Sequence, residues 1–244
     1  MQAHKIVTRA EWLKARKAHL AKEKAHSRAH DQLMQERRAL PWVRVEKEYA
    51  FDTVQGRRSL GQLFDGRSQL IVYHFMFGPG WMEGCSGCSF ICDHIDGANL
   101  HLAHHDATVL AVSRAPLAEF LPFKRRMGWR FPWVSSHGGE FNHDFDAAFS
   151  PEQVKEGKPL YNFGTSPSLA EDLHGLSVFH KDGDSGIFHT YSTYARGGDI
   201  LIGAHNFLDM TPKGRNEKGT MDWVRLHDAY EDAEETDVRA AAGE

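Results

Sequence analysis

The chain has 244 residues, 41% hydrophobic and 25% charged, with a formal net charge of −4. These values fit an ordinary globular chain with one sizeable core, and the negative balance argues against nucleic acid as the main partner. The basic start (Lys5, Arg9, Lys14, Arg16, Lys17) lacks the apolar stretch of a secretory signal, and no apolar run approaches the ~20 residues that span a bilayer, so a soluble, cytoplasmic protein with no membrane partner is expected.

Thr8 and Glu11 have capping-box spacing, and no Gly or Pro interrupts the stretch from Arg9 to Arg38, which predicts a long helix stopped by Pro41. Its apolar residues, among them Leu13, Leu20, Leu33 and Met34, make a thin stripe. Residues 1–42 therefore read as a helical extension that packs across a domain surface or against a second subunit, the latter giving a homo-oligomer. Val43 to Thr53 alternates as a strand, Gly56 marks a turn, and Leu60 to Phe64 fits a short helix. Leu70 to Phe77 is a near-continuous apolar run, the pattern of a central strand covered on both faces, and Gly78-Pro79-Gly80 ends it. A helix from Cys88 to about His104, a buried strand over Thr108 to Val112 and an amphipathic helix over Pro116 to Met127 come next. Strand, helix, strand, helix implies a parallel crossover unit and an α/β fold. Residues 132–172 have weak periodicity and read as an insertion or long loop. Gly175 to His180 and Gly186 to Tyr194 read as antiparallel partners, and a last helix falls at about Asp199 to Leu208. The main domain is thus 43–227, followed by an acidic, disordered tail over 228–244.

All three cysteines lie between positions 85 and 92, too few for a disulfide-stapled scaffold and too clustered for chance, which points to chemistry or metal binding. Cys85-Ser86-Gly87-Cys88, directly after a buried strand and at the mouth of a helix, is the arrangement a redox dithiol needs. The free amides and dipole of the helix start stabilise a thiolate, drawing its pKa from about 8.5 toward roughly 7 or lower. Cys85, at the exposed start, is expected to attack, and Cys88, inside the first turn, to resolve the mixed disulfide. Zinc sites also use this spacing, but no second pair completes a four-thiolate set. Cys92 shares the helix face of Cys88 and reads as a small buried hydrophobe, a second resolving thiol or a third ligand of a soft metal.

Several strings resemble a known family: Met76-Phe77-Gly78-Pro79-Gly80-Trp81, Gly84-Cys85-Ser86-Gly87-Cys88-Ser89-Phe90 and Val112-Ser113-Arg114-Ala115-Pro116-Leu117. They are joined by Phe131-Pro132-Trp133-Val134-Ser135-Ser136 and His189-Thr190-Tyr191-Ser192-Thr193-Tyr194-Ala195-Arg196-Gly197. The chain resembles a bacterial thioredoxin-like family of formerly unknown function, described as predicted dithiol-disulfide oxidoreductases. The resemblance implies a thioredoxin-like fold, a central mixed sheet flanked by helices, and a thiol-disulfide oxidoreductase that needs no cofactor, acts on a thiol or disulfide substrate and is served by a cellular reductant. A thiol peroxidase, in which a cysteine passes through a sulfenic acid, is a variant. Thioredoxins place a cis-proline beside the cysteines, before the strand that here begins near Leu176, yet Gly175-Leu176-Ser177-Val178 contains none. The loop that presents a peptide substrate is thereby altered around Ser177.

Sixteen histidines raise the question of a metal, and His74, His94, His101, His104 and His105 lie near the cysteines in sequence. His104 and His105 sit about 25 Å along the helix from Cys88, too far to share an ion with it. Sco-type copper chaperones, also thioredoxin-like, use two cysteines and a distant histidine, and Cys85, Cys88 and His189 imitate that set, since thiolate and imidazole suit Cu(I). A copper-binding protein is therefore the alternative. Alternation of His189 and Tyr191 with Thr190 and Ser192 equally describes a half-buried strand. Arg114 and Arg196 are candidates to hold an anionic substrate or a thiolate, and Trp81, Trp129 and Trp133 to wall an apolar pocket.

Overall fold

The computed structural model describes residues 4–157, 161–166, 170–183 and 186–230. The chain forms two compact units, Met1–Trp42 and Val43–Glu244.

The first unit is helix α1 (Arg9–Arg38). Its capping box forms as the spacing predicts: the Glu11 N–H donates to Thr8 Oγ1 at 3.3 Å and the Thr8 N–H to Glu11 Oε2 at 2.9 Å. Arg37 and Arg38 in the last turn complement the dipole. No residue of α1 is buried, and Trp12, Leu13, Leu20 and Leu33 are exposed.

The second unit is built on one eight-stranded sheet. In chain order the strands are β1 (Val43–Arg44), β2 (Ala50–Thr53), β3 (Gly56–Ser59), β4 (Gln69–His74), β5 (Ala107–Ser113), β6 (Trp133–Ser135), β7 (Gly175–Asp182) and β8 (Gly186–Tyr194), and their spatial order is β1-β8-β7-β4-β5-β6-β2-β3. β4 runs parallel to β5, with helix α3 (Ser86–His104) as the crossover, and antiparallel to β7, which pairs with β8. This β5-β4-β7-β8 core, flanked by α3 and by α4 (Leu117–Arg126), is a thioredoxin-like fold. Period-two alternation divides the side chains between two faces. Ile71, Tyr73, Val109, Ala111 and Trp133 pack against α3 and α4. Leu70, Val72, Leu110, Val112, Val134 and Phe179 face the opposite way, onto helix α2 (Leu60–Leu63) and Phe141 and Phe145 of and beside helix α5 (Phe141–Asp144). Among the described residues no helix is long and apolar enough to cross a membrane.

Several expectations are corrected. The stretch Val43 to Thr53 is not one strand: β1 pairs with β8 at one edge, and β2 pairs with β6 and β3 at the other. The alternating pattern runs through both β1 and β2, and periodicity carries no record of the crossing between them. In a flat sheet those edges would be roughly 29 Å apart at ~4.8 Å per strand, whereas Arg44 to Ala50 can span only roughly 22 Å. The sheet is therefore curled. Val45 N–H donates to Ile187 O (2.9 Å) and Leu60 N–H to Tyr49 O (3.1 Å), and Ile187 Cδ1 lies 3.5 Å from where a Cβ on Gly61 would stand. Nor is 132–172 only an insertion. It opens with β6, which continues the parallel part of the sheet and buries Trp133 and Val134, and adds α5 and helix α6 (Pro151–Lys155). A three-residue strand is too short to show a period. The last expected helix is a 3₁₀ turn, Ala195–Leu201, followed by a short α-helix, Gly203–Leu208. The expected tail falls on 231–244, outside the described residues, and residues 228–230 belong to the end of the domain.

Candidate active site

β4 delivers the chain to the site. Beyond His74 the backbone stays in register long enough for Phe75 N–H to reach Val112 O (2.9 Å), then loops through residues 78–84 and returns so that Cys85 N–H meets Met76 O (3.4 Å). Gly84 makes the return possible: a Cβ there would stand 2.6 Å from the ring of Phe75 and 2.8 Å from that of Phe123. Cys85 occupies the N-cap of α3, and both the N–H and the hydroxyl of Ser89 donate to its carbonyl at 2.9 Å. Its thiol therefore stands over the amides of Gly87 and Cys88, where a helix start favours negative charge.

The two thiols of the motif differ in acidity, and the cause is local. Cys85 is partly exposed, and the hydrogen bond from the Cys88 thiol, helped by the Cys88 and Gly87 amides and by nearby His174 and opposed by burial, lowers its pKa to about 6. Burial pushes the Cys88 thiol well above the usual range, and the hydrogen bond it gives to Cys85 adds to this. Cys92 is fully buried in the core under α3, and burial raises it too. The Tyr73 hydroxyl is buried beside Cys88 with no nitrogen or oxygen partner.

Cys85, Cys88 and Tyr73 share a cavity of about 300 Å³ with Gly87, Ile91, His174, Ala195, Arg196, Asp199, Thr220 and Met221. The start of β7 and the end of β8 are neighbours, since Gly175 pairs with Tyr194, and this brings His174 and Ala195 to the same wall. Tyr161 joins them: its hydroxyl donates to His174 O (2.8 Å) and accepts from Ala195 N–H (2.8 Å), while His174 Nε2–H donates to Ala195 O (3.0 Å). Ala195 sits at φ +47°, and the chain turns there into the 3₁₀ segment whose Arg196 and Asp199 pair at 2.9 Å.

Of the residues singled out in the sequence, Cys85, Cys88 and Arg196 come together at this cavity. The others do not. Arg114 is held by a two-pronged ion pair to buried Asp172 (2.6 and 2.7 Å). Trp81 is partly exposed, with its indole nitrogen beside Gly78. Tyr191 lies opposite Val178 in the ladder and outside the cavity lining. Ser177 and His189 stand on the other face of the sheet, in a buried chain in which His74 Nε2 meets Ser177 Oγ (3.0 Å), Ser177 meets Ser192 (3.0 Å) and Ser192 meets His189 Nε2 (2.7 Å). His74 stacks on Phe141, and His189 packs on Phe145 and Phe179. Cys85, Cys88 and His189 are thus not one ligand set, and among the described residues no group of three or more His, Cys, Asp or Glu is arranged to hold a metal. His94 is engaged elsewhere, with Nδ1 on Phe90 O (2.7 Å) and Nε2 accepting from Ala204 N–H (3.1 Å).

Sequence reasoning missed His174, Asp199 and Met221. Only His174 left a usable trace: it directly precedes the strand before which thioredoxins carry their cis-proline, and among the described residues no peptide bond is cis.

The family model for "Bacterial protein of unknown function (DUF899)" matches residues 1–230. The chain belongs to this family. No curated protein matches it. Among solved structures it is similar to peroxidoxin BcpB of Mycobacterium tuberculosis, at 14% identity over 66% of this chain and 93% of that one, with a TM-score of 0.47. It is also similar to peroxiredoxin Q of Xanthomonas campestris, at 17% identity over 64% of this chain and 87% of that one (TM-score 0.43), and to PrxQ of Xylella fastidiosa, at 13% over 65% and 88% (TM-score 0.42).

Proposed function

We propose that this member of the family is a thiol-disulfide oxidoreductase in which Cys85 attacks and Cys88 resolves. The observation that carries the reading is the pairing of opposite acidities in one cavity: a helix-start thiol lowered to about 6, hydrogen-bonded by a buried thiol raised well above the usual range. At neutral pH such a pair holds one thiolate, already in reach of its partner. Thiolate is the attacking species in exchange, and a nearby protonated thiol is the reserve nucleophile that ends the mixed disulfide. The test is the Cys88→Ser protein. It retains the attacking thiol and lacks the resolving one, so incubation with a disulfide should yield a stable mixed disulfide on Cys85, read by mass spectrometry, where the wild type passes on to the internal disulfide. A Cys88→Ser protein that forms no adduct, although Cys85 still alkylates, refutes exchange.

The position of Cys85, partly exposed within a small cavity, favours a second reading, thiol peroxidase. Here the thiolate attacks one oxygen of a hydroperoxide, the O–O bond breaks, an alcohol leaves with a proton from solvent, and Cys88 condenses with the sulfenic acid to give the disulfide and water. The readings separate on which oxidant converts reduced protein faster at equal concentration, a small disulfide or a hydroperoxide.

A further inference from the structure

The cavity that holds the thiols has a wall supplied by the last described segment of the chain, and this wall has a role the exchange chemistry does not need. Met221 lies across the helix start from Cys85: a Cβ on Gly87 would stand 3.4 Å from Met221 Sδ and 3.8 Å from Cys85 Sγ. The methionine is fixed there by its surroundings. Its backbone is at φ +57°, a left-handed conformation that a bulky side chain keeps only when its neighbours hold it there. Glu217 imposes it, accepting at 3.2 Å from both the Met221 N–H and the Trp223 indole N–H. Behind Met221, Val224 and Leu226 are buried in the core shared with α3, so the segment is pinned on the far side as well.

We infer that Met221 makes this a site for small-molecule disulfides with apolar bodies and closes it to disulfides carried on proteins. The inference rests on the exchange reading above and adds its substrate class. A cavity of about 300 Å³ is at the lower end of small-ligand sites. Ile91, Ala195, the Tyr73 ring and Met221 offer apolar walls, and Arg196 has its charge met by Asp199. Exchange needs an approach to the sulfur along the S–S axis, and a polypeptide flanking the disulfide would have to displace a strap anchored on both sides of Met221. A small disulfide fits within the walls. The Cys85 thiolate attacks one sulfur of RS–SR, that S–S bond breaks, and RS⁻ leaves, taking a proton from solvent. Cys88 then releases its proton and attacks Cys85 Sγ, and the second RS⁻ departs and takes up that proton. The dithiol is oxidised by two electrons and RS–SR is reduced to two RSH.

The test compares rates of oxidation of the reduced full-length protein by diethyl disulfide and by insulin, in wild type, Met221→Gly and Met221→Leu. Glycine accepts the left-handed backbone and removes the wall, whereas leucine keeps most of it. Wild type should favour the small disulfide by about 100-fold beyond the ratio shown by free dithiothreitol, the scale of loss that misplacement of reacting atoms produces. Met221→Gly should narrow that preference about tenfold, and Met221→Leu should keep it, as expected for a pocket wall worth one or two methylene contacts. An independent reading on wild type alone is the ratio of Cys85 alkylation by iodoacetamide to that by a polyethylene-glycol maleimide, again against dithiothreitol, which should favour the small reagent by a similar factor. Equal selectivity in wild type and dithiothreitol, or an unchanged ratio in a folded Met221→Gly protein, overturns the inference and leaves exchange standing. Failure of both disulfides to oxidise a protein whose Cys85 still alkylates overturns both readings.

Discussion

At Cys85 a single neighbour sets the acidity more strongly than the helix does. The hydrogen bond from the Cys88 thiol is the largest cause of the lowered pKa, ahead of the Gly87 and Cys88 amides. Removing the donor and conserving it should therefore give opposite results. In Cys88→Ala the pH midpoint for alkylation of Cys85 should rise from about 6 toward the ordinary thiol range near 8.5, and in Cys88→Ser, whose hydroxyl still donates, it should stay within about one unit of the wild type. A midpoint equally low in both variants would assign the acidity to the helix start. Cys85 and Cys88, which share the cavity, could be paired from sequence because their geometry is local: a strand end, two intervening residues and a helix start. His174 and Met221 could not, because they reach the thiols through strand pairing and tertiary packing over 86 and 133 residues, distances at which spacing carries no signal.

The hairpin β7–β8 and strand β4 carry a second feature at the scale of elements, the buried His74–Ser177–Ser192–His189 chain. Burial, with His189 nearby, lowers the His74 pKa to about 3, and His74 Nδ1 has no partner. In the unfolded chain His74 titrates near 6.5. The folded state therefore binds fewer protons below that value, and its advantage is complete above about pH 6.5 and is lost as pH falls toward 3, by up to about 1.4 kcal/mol per unit. The urea midpoint should fall steeply between pH 6.5 and 4, and His74→Gln should flatten that fall. A profile unaltered by the substitution would place the acid sensitivity elsewhere. The same strands show what a period can and cannot reveal. The apolar run of β4, the β7–β8 pairing and the crossover through α3 are all legible in the sequence, because each strand is long enough to display its pattern. Strands of two to four residues are not, so β6 is hidden in what reads as an insertion and β1 and β2 merge into one. His189 on an alternating strand was legible as half-buried, but which face it takes depends on the irregularity in the β7–β8 pairing between Val178 and Phe179.

Over the whole molecule the two units make different demands. Among the described residues, the clusters of buried apolar side chains of the second unit draw on residues from Val45 onward, and no residue of α1 is buried. A chain lacking residues 1–42 should lose the helical circular dichroism of the 30 residues of α1, and unchanged stability together with an unchanged oligomeric mass would overturn the expectation that α1 packs on the domain or on a second copy. The curl of the sheet bears on how the second unit is made. β1 is synthesised well before its partners, since Val43 pairs with His189 and Arg44 with Phe188 across spacings of 146 and 144 residues. At about 5–20 residues per second, that strand waits roughly 7–30 s for its ladder, and β2 waits for Ser135. Through that interval the charged stretch from Arg44 to Glu48 has no strand to pair with, and that side of the sheet closes only once β8 has been made.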